Sequence, residues 1–136
     1  MKKTARQKKT VVLFRNPKIE VRESKIHGFG VFANADIDKD EMLEEVPIIK
    51  VSMPWDNVPG ILQNYVFDAH DKKDKNKFII AFGVGSVYNH SAKYNATHYT
   101  EKNTFQYYAS KRIKKDEEIF ISYGKNYWTT RDIKLK

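Results

Sequence analysis

The stretch Tyr88-Asn89-His90-Ser91-Ala92-Lys93-Tyr94-Asn95-Ala96 sets two asparagines and a histidine close together, directly after an apolar run. An asparagine side chain both donates and accepts hydrogen bonds, so it suits a ligand that carries an amino group beside a carboxylate. A second cluster, Ile119-Phe120-Ile121-Ser122-Tyr123-Gly124-Lys125-Asn126-Tyr127-Trp128, brings a tyrosine hydroxyl and two further aromatic faces. Such faces attract organic cations by about 0.5–2 kcal/mol. Near the start, His27-Gly28-Phe29-Gly30-Val31-Phe32-Ala33 carries paired glycines, which let a backbone turn sharply and approach a ligand closely. Each feature alone also has a plainer reading. Gly-x-Gly serves tight turns, Asn-His fits an asparagine-rich turn with a core histidine, and Tyr123 could simply pack at a strand end.

The elements that must position these residues read as strands. Val11-Val12-Leu13-Phe14 and Ile19-Glu20-Val21-Arg22 flank the turn signal Asn16-Pro17. Val31–Ala33, Leu43–Val51, Phe78–Phe82, Thr104–Ala109 and Glu118–Tyr123 follow, with Pro47 expected to mark an edge strand or a break. Pro54 to Asp68 reads as helical, because Ile61, Leu62, Tyr65 and Val66 fall on one face. Asp71 to Lys77 reads as a solvated loop. Ile37-Asp38-Lys39-Asp40-Glu41 is echoed by Ile113-Lys114-Lys115-Asp116-Glu117. Each precedes an apolar strand, so each is expected to be a polar turn that delivers the chain into a sheet.

A chain of 136 residues with 40% hydrophobic content is expected to form one domain with a real core. No segment approaches the roughly 20 apolar residues that span a bilayer, and Met1-Lys2-Lys3 opens no signal peptide. The chain has no cysteine, which excludes disulfides, thiolate catalysis and cysteine-ligated zinc. His27, His70, His90 and His98 lack the close pairing of common zinc motifs, so no metal is expected. Of the net charge of +8, five positive charges (Lys2, Lys3, Arg6, Lys8, Lys9) lie in the first ten residues. The remainder holds 20 basic against 17 acidic side chains, a net of +3. Residues 1–10 are therefore expected to form a basic flexible arm, the one part suited to nucleic acid, an acidic surface or an import receptor, ahead of a domain over 11–136. Ala5-Arg6-Gln7-Lys8-Lys9-Thr10 in that arm also has the flavour of a histone tail.

In this order and together, the three clusters resemble the SET-domain protein lysine methyltransferases, and the chain is most similar to the small free-standing viral-type SET proteins. The resemblance spans roughly residues 19 to 131. It implies a mainly β fold of small curved sheets with short helices, and a C-terminal pseudoknot that tucks the Tyr123 segment under the loop near Asn89. It implies S-adenosylmethionine as cofactor, with Gly28, Phe29, Gly30, Asn89, His90, Tyr127 and Trp128 around it. Tyr123 takes the place of the catalytic tyrosine, which aligns a lysine amine with the methyl donor. Tyr65 and Ile121 take substrate-side places, and isoleucine at 121 implies that more than one methyl group can be added. The family pattern Asn-His-Ser-Cys-x-Pro-Asn is departed from at Ala92 and Tyr94, and Asp40 and Asp116 stand where glycine is usual.

The activity so implied is transfer of methyl groups to a lysine in a basic protein tail, a histone above all. A nuclear or chromatin location follows if the source is eukaryotic or viral, and an otherwise cytoplasmic one if not. The family's larger members close their pocket with a cysteine-rich extension, which this chain lacks; this leaves a homodimer open. Two other readings stay open as well: a SET-fold binding module that has lost catalysis, and a basic nucleic-acid-binding domain.

Overall fold

A computed structural model describes residues 14–63, 65–69, 73–74 and 76–122. It contains ten strands among them. In chain order these are β1 (Phe14–Arg15), β2 (Ile19–Glu23), β3 (Phe29–Ala33), β4 (Met42–Ser52) and β5 (Val66–Asp68). There follow β6 (Lys77–Ala81), β7 (Asn89–His90), β8 (Ala96–Glu101), β9 (Thr104–Ala109) and β10 (Glu118–Ile121). They form two sheets. The larger has the order β5-β6-β4-β9-β8, with β1 also paired to β4, and the smaller has the order β2-β3-β10-β7. No helix among the described residues is long and apolar enough to cross a membrane.

The echoed turns join the sheets. Ile37 and Ile113 exchange both backbone hydrogen bonds, at 2.8 and 2.9 Å, and both side chains are fully buried. Around them the bonding repeats with the roles exchanged. Asp40 N–H donates to Ala109 O (2.8 Å) and Ala109 N–H to Glu41 O (3.0 Å). Asp116 N–H donates to Ala33 O (2.8 Å) and Ala33 N–H to Glu117 O (3.0 Å). In each turn the closing glutamate accepts from the second residue's N–H, Asp38 to Glu41 at 3.1 Å and Lys114 to Glu117 at 2.8 Å. Asp40 and Asp116 have φ of 71° and 73°, the left-handed region that aspartate enters more readily than most residues. The first turn leads from β3 into β4, and the second from β9 into β10. Strand β4 then pairs with β9, and β10 with β3.

Strand β4 runs unbroken through Pro47, contrary to the expectation of an edge or a break. Pairing changes there. Pro47 lies opposite Thr104 of β9, while Ile48 onward pairs with β6. The missing N–H falls in the gap between β1 and β6, where Pro47 O still accepts from Phe82 N–H at 3.1 Å. A bulge between Tyr107 and Tyr108 opposes two consecutive β4 residues, Leu43 and Glu44, that are both buried.

The helix expected over Pro54 to Asp68 does not form. Two single 3-10 turns, Trp55–Asn57 and Gly60–Leu62, precede strand β5. Pro54 and Pro59 each open a turn and Gly60 weakens any continuation, so no helical run survives. Val58, Val66 and Phe78 form a small second core beside Met53, Trp55 and Ile80, while Ile61, Leu62 and Tyr65 are exposed. Strand β8 lies in a stretch for which the sequence pattern gave no strand, because Thr97, His98 and Tyr99 alternate too weakly in polarity.

Replacing Asp116 by valine puts a β-branched side chain at φ 73° and is expected to cost about 1–2 kcal/mol, whereas Asp116→Gly should retain the fold without that penalty. Urea-unfolding midpoints check this; equal midpoints for the two variants would contradict it.

Candidate functional site

Strand β7 places the Asn89-His90 pair directly against β10. The pairing is parallel, with Asn89 opposite Phe120 and His90 opposite Ile121. Asn95 completes the join. Its Nδ2 donates to Glu118 O (3.0 Å), its Oδ1 accepts from Phe120 N–H (2.8 Å), and its own N–H donates to Phe120 O (3.2 Å). One side chain thus serves as a piece of strand for the edge of β10. Between these contacts Ser91 Oγ accepts from Lys93 N–H at 3.0 Å. Ala92 and Tyr94 are exposed on that turn, so their departure from the family pattern leaves the core untouched.

The amide of Asn89 faces inward. Its Nδ2 lies 3.2 Å from His27 O, 3.0 Å from Phe29 O and 2.8 Å from Glu118 Oε2, so two hydrogens serve three oxygens. The donor expected to meet a ligand is used to fasten the His27–Gly30 loop to β10. Ser24 Oγ donates to the same Glu118 carboxylate at 2.8 Å and accepts from Ile26 N–H at 3.0 Å. Sequence reasoning did not single out Glu118, because at the head of an expected strand it carries no signal beyond its charge.

This fastening explains the glycines. A Cβ on Gly30 would collide with the Glu118 carboxylate and stand 3.0 Å from Asn89 Nδ2. Gly28 has φ 50°, and a Cβ there would meet nothing within 4 Å. The backbone at Gly28 therefore borders open space. Phe29 beside it is 63% exposed, an aromatic face not spent on packing.

His90 sits on a strand at the end of its sheet. Ser91 N–H donates to Ile121 O at 3.2 Å, so β10 takes the backbone groups of the residues flanking His90. Alternation along a strand turns the His90 N–H and C=O away from β10. Burial lowers the pKa of its imidazole, which favours the neutral ring. Ile121 is fully buried in the main core, and Tyr65 is 46% exposed rather than on a packed helix face. His98 lies against the rings of Phe67, Phe105 and Tyr107. Tyr123, Tyr127 and Trp128 lie outside the described residues; the chain leaves β10 at Ile121, two positions before Tyr123.

A buried carboxylate holds the segment that delivers Asn89. Glu44 is 1% exposed; its Oε2 accepts from Val84 N–H at 2.9 Å and its Oε1 from the Tyr88 hydroxyl at 3.2 Å. Tyr88 stacks on Tyr107 with ring centroids 4.5 Å apart, and Tyr107 donates its hydroxyl to Gly85 O at 2.9 Å. Desolvation raises the pKa of the Glu44 carboxyl to about 7, against the pull of its two hydrogen bonds.

The site so built offers a loop with an open backbone edge, an exposed aromatic face, and an outward-turned peptide group on the adjoining strand. These features fit a ligand with a flat heterocycle and a polar chain, and S-adenosylmethionine is of that form. A SET-domain family model matches residues 28–124. A Schizosaccharomyces pombe protein, "Histone-lysine N-methyltransferase, H3 lysine-37 specific", is 30% identical over 125 residues, covering 87% of this chain and 80% of its own. The crystal structure of a candidate histone methyltransferase from Plasmodium falciparum superposes with a TM-score of 0.67 at 33% identity, over 83% of this chain and 98% of the other. A humanized mutant of the Chaetomium thermophilum Polycomb Repressive Complex 2, bound to the inhibitor GSK126, matches with a TM-score of 0.60 at 20% identity. That match covers 78% of this chain and 15% of the other, and shows the shared fold.

Two outcomes test the site's construction. Gly30→Ala should lower the thermal midpoint by displacing Glu118 or Asn89, whereas Gly28→Ala should cost only its backbone strain at φ 50°, about 1–2 kcal/mol; an unchanged midpoint in Gly30→Ala would contradict the packing described. Because the folded state holds a proton on Glu44 that the unfolded chain releases near 4.5, this group's contribution to stability falls as pH rises from 4.5 to about 7. Relative to wild type, Glu44→Gln should gain about 3 kcal/mol across that window. Denaturant titrations at several pH values measure the gap, and a gap independent of pH would contradict the assignment.

Proposed function

The chain belongs to the SET-domain family and is a protein-lysine methyltransferase, and from that premise we propose that it transfers methyl groups from S-adenosylmethionine to a lysine of a histone tail. The observation that carries this reading is the parallel pairing of β7 with β10. It sets the Gly28–Gly30 loop, held by Asn89, beside the segment that runs into Tyr123. When bound, S-adenosylmethionine supplies an electrophilic methyl group on a sulfonium.

The roles of this chain's residues follow from their chemistry. Gly28 leaves room for a ligand to lie close against the backbone, and the exposed ring of Phe29 offers it an apolar face. The peptide group of His90 reads a heterocycle edge. Asn89 acts through the loop that it holds. Tyr127 and Trp128 bring aromatic faces that attract a sulfonium or an ammonium. The accepting lysine must arrive neutral, although its pKa in water is about 10.4. An apolar channel, as the family resemblance implies, would disfavour the charged form, and the buried Ile121 is the substrate-side residue that the resemblance assigns. The Tyr123 hydroxyl then holds the amine in line with the methyl donor without ionising, so that orientation and exclusion of water supply much of the acceleration. Tyr65, 46% exposed, is the aromatic that the family resemblance assigns to the substrate side.

Support for a histone as substrate comes from the relatives, whose names specify histones. An extended basic tail can bind by adding a strand to a sheet edge, which leaves alternate side chains to enter pockets. Action on such a substrate places the protein at chromatin. Ile121 brings no hydroxyl to hold a water where a second methyl group must go, which supports repeated addition.

Mass spectrometry of a histone-peptide panel tests the reading. The wild-type protein should give dimethylated or trimethylated product on one peptide, and Tyr123→Phe should lower turnover at least 100-fold while calorimetry still detects cofactor binding. Full activity of Tyr123→Phe would overturn the assigned role of Tyr123, and monomethyl product alone at exhaustive turnover would overturn repeated addition.

A further inference from the structure

A solvent-open cavity of about 520 Å³ lies on the outer face of β8 and β9, lined by Asp40, Thr97, Tyr99, Tyr108, Ala109 and Ser110. Ser110 adjoins the constellation around Asn89, its N–H donating to Asn95 O at 2.9 Å, while Asp40, Thr97, Tyr99 and Tyr108 take no part in the contacts described there. Thr97 and Tyr99 are two apart on β8 and therefore share a face. Tyr108 pairs directly with Thr97, so its ring stands diagonal to that of Tyr99 on the same face. The ring centroids are 5.9 Å apart with planes inclined at 62°, two walls meeting at an angle.

Tyr99 is 58% exposed, so its ring is not spent on the core. The Tyr108 hydroxyl donates to Gln106 Oε1 at 3.1 Å, which holds that ring in place. Beside the rings the chain continues through Ala109 and Ser110, which also line the cavity. Asp40 adds a carboxylate, and its position is fixed by the backbone bond from its N–H to Ala109 O at 2.8 Å. The left-handed turn at Asp40, which joins the sheets, thus also brings a negative charge to an aromatic corner.

From this juxtaposition we propose that the cavity binds the methylated ammonium group of a methyl-lysine side chain. Two inclined tyrosine faces attract a cation through their ring quadrupoles, and methyl groups on the nitrogen lie well against them. The Asp40 carboxylate supplies the opposite charge. An unmodified ammonium is compact and strongly hydrated, and gives up more water than two rings and one carboxylate restore. Each added methyl group removes an N–H donor and lowers that cost, so the corner prefers the methylated form. The assignment goes beyond methyl transfer and stands whether or not this chain makes the group that it binds.

The test is a nuclear magnetic resonance titration of the full-length, isotope-labelled chain. The probes are a short peptide carrying trimethyl-lysine and the same peptide with unmodified lysine. The methylated peptide should shift the amide signals of Thr97, Tyr99, Tyr108 and Ser110, with an affinity at least fivefold above that of the unmodified peptide. Tyr99→Ala and Asp40→Asn should each weaken binding at least fivefold with the fold retained, since the Tyr99 side chain is exposed and asparagine tolerates the backbone at 40. Equal affinity for the two peptides would overturn the proposal, as would shifts confined to His90 and Ile121 or binding unchanged in Tyr99→Ala.

Discussion

Two backbone hydrogen bonds between Ile37 and Ile113 fix where both sheets meet, and the rest of the structure is arranged around them. The bonds are made at the crossing of two turns that satisfy each other's backbone in the same pattern with roles exchanged. Their aspartates take the left-handed conformation that lets each chain reverse. From that crossing β4 enters the large sheet and β10 enters the small one. The direction of β10 then decides that it lies parallel to β7, because its other edge is taken by β3. A parallel pair of such short strands is a weak unit by itself. Here it is reinforced by the Asn95 side chain and by the buried Ile119 and Ile121 on one face of β10.

The site is built from internal satisfaction rather than from side chains displayed to a ligand. Asn89 spends its amide hydrogens on two loop carbonyls and a carboxylate. Glu118 collects Ser24 and Asn89, and a Cβ at position 30 would collide with its carboxylate. What stays exposed is the backbone at Gly28 and the ring of Phe29. Such a surface is pre-organised, because the groups that define it are held by bonds that binding need not break. The buried Glu44 does the same for the segment before Asn89, at the cost of a carboxyl kept out of water.

Much of this was legible in the sequence where local pattern and local chemistry agree. Strand Thr104–Ala109 follows from its alternation, and the two echoed turns follow from their matching polar residues. The membership of the two clusters in one site was legible only through resemblance, since the parallel pairing joins residues with no local signal for each other. Pro54 to Asp68 misled because its apolar spacing fits a helix, while two prolines and a glycine divide it into single turns. Strand β8 was missed because its pairing with β9, rather than its own pattern, makes it a strand. The inward role of Asn89 could not be read at all. An asparagine that holds a loop and one that holds a ligand look alike until their acceptors are known, and Glu118 gave no sign beyond being acidic.

In the proposed cofactor pocket, Asn89 acts from behind while the loop backbone and His90 form the surface. A crystal structure with S-adenosylhomocysteine tests this most directly. The predicted result has the ligand against Gly28, Phe29 and the His90 peptide group, with Asn89 Nδ2 still on His27 O, Phe29 O and Glu118. A ligand whose carboxylate takes the Asn89 amide, with the bonds to the loop broken, would contradict it.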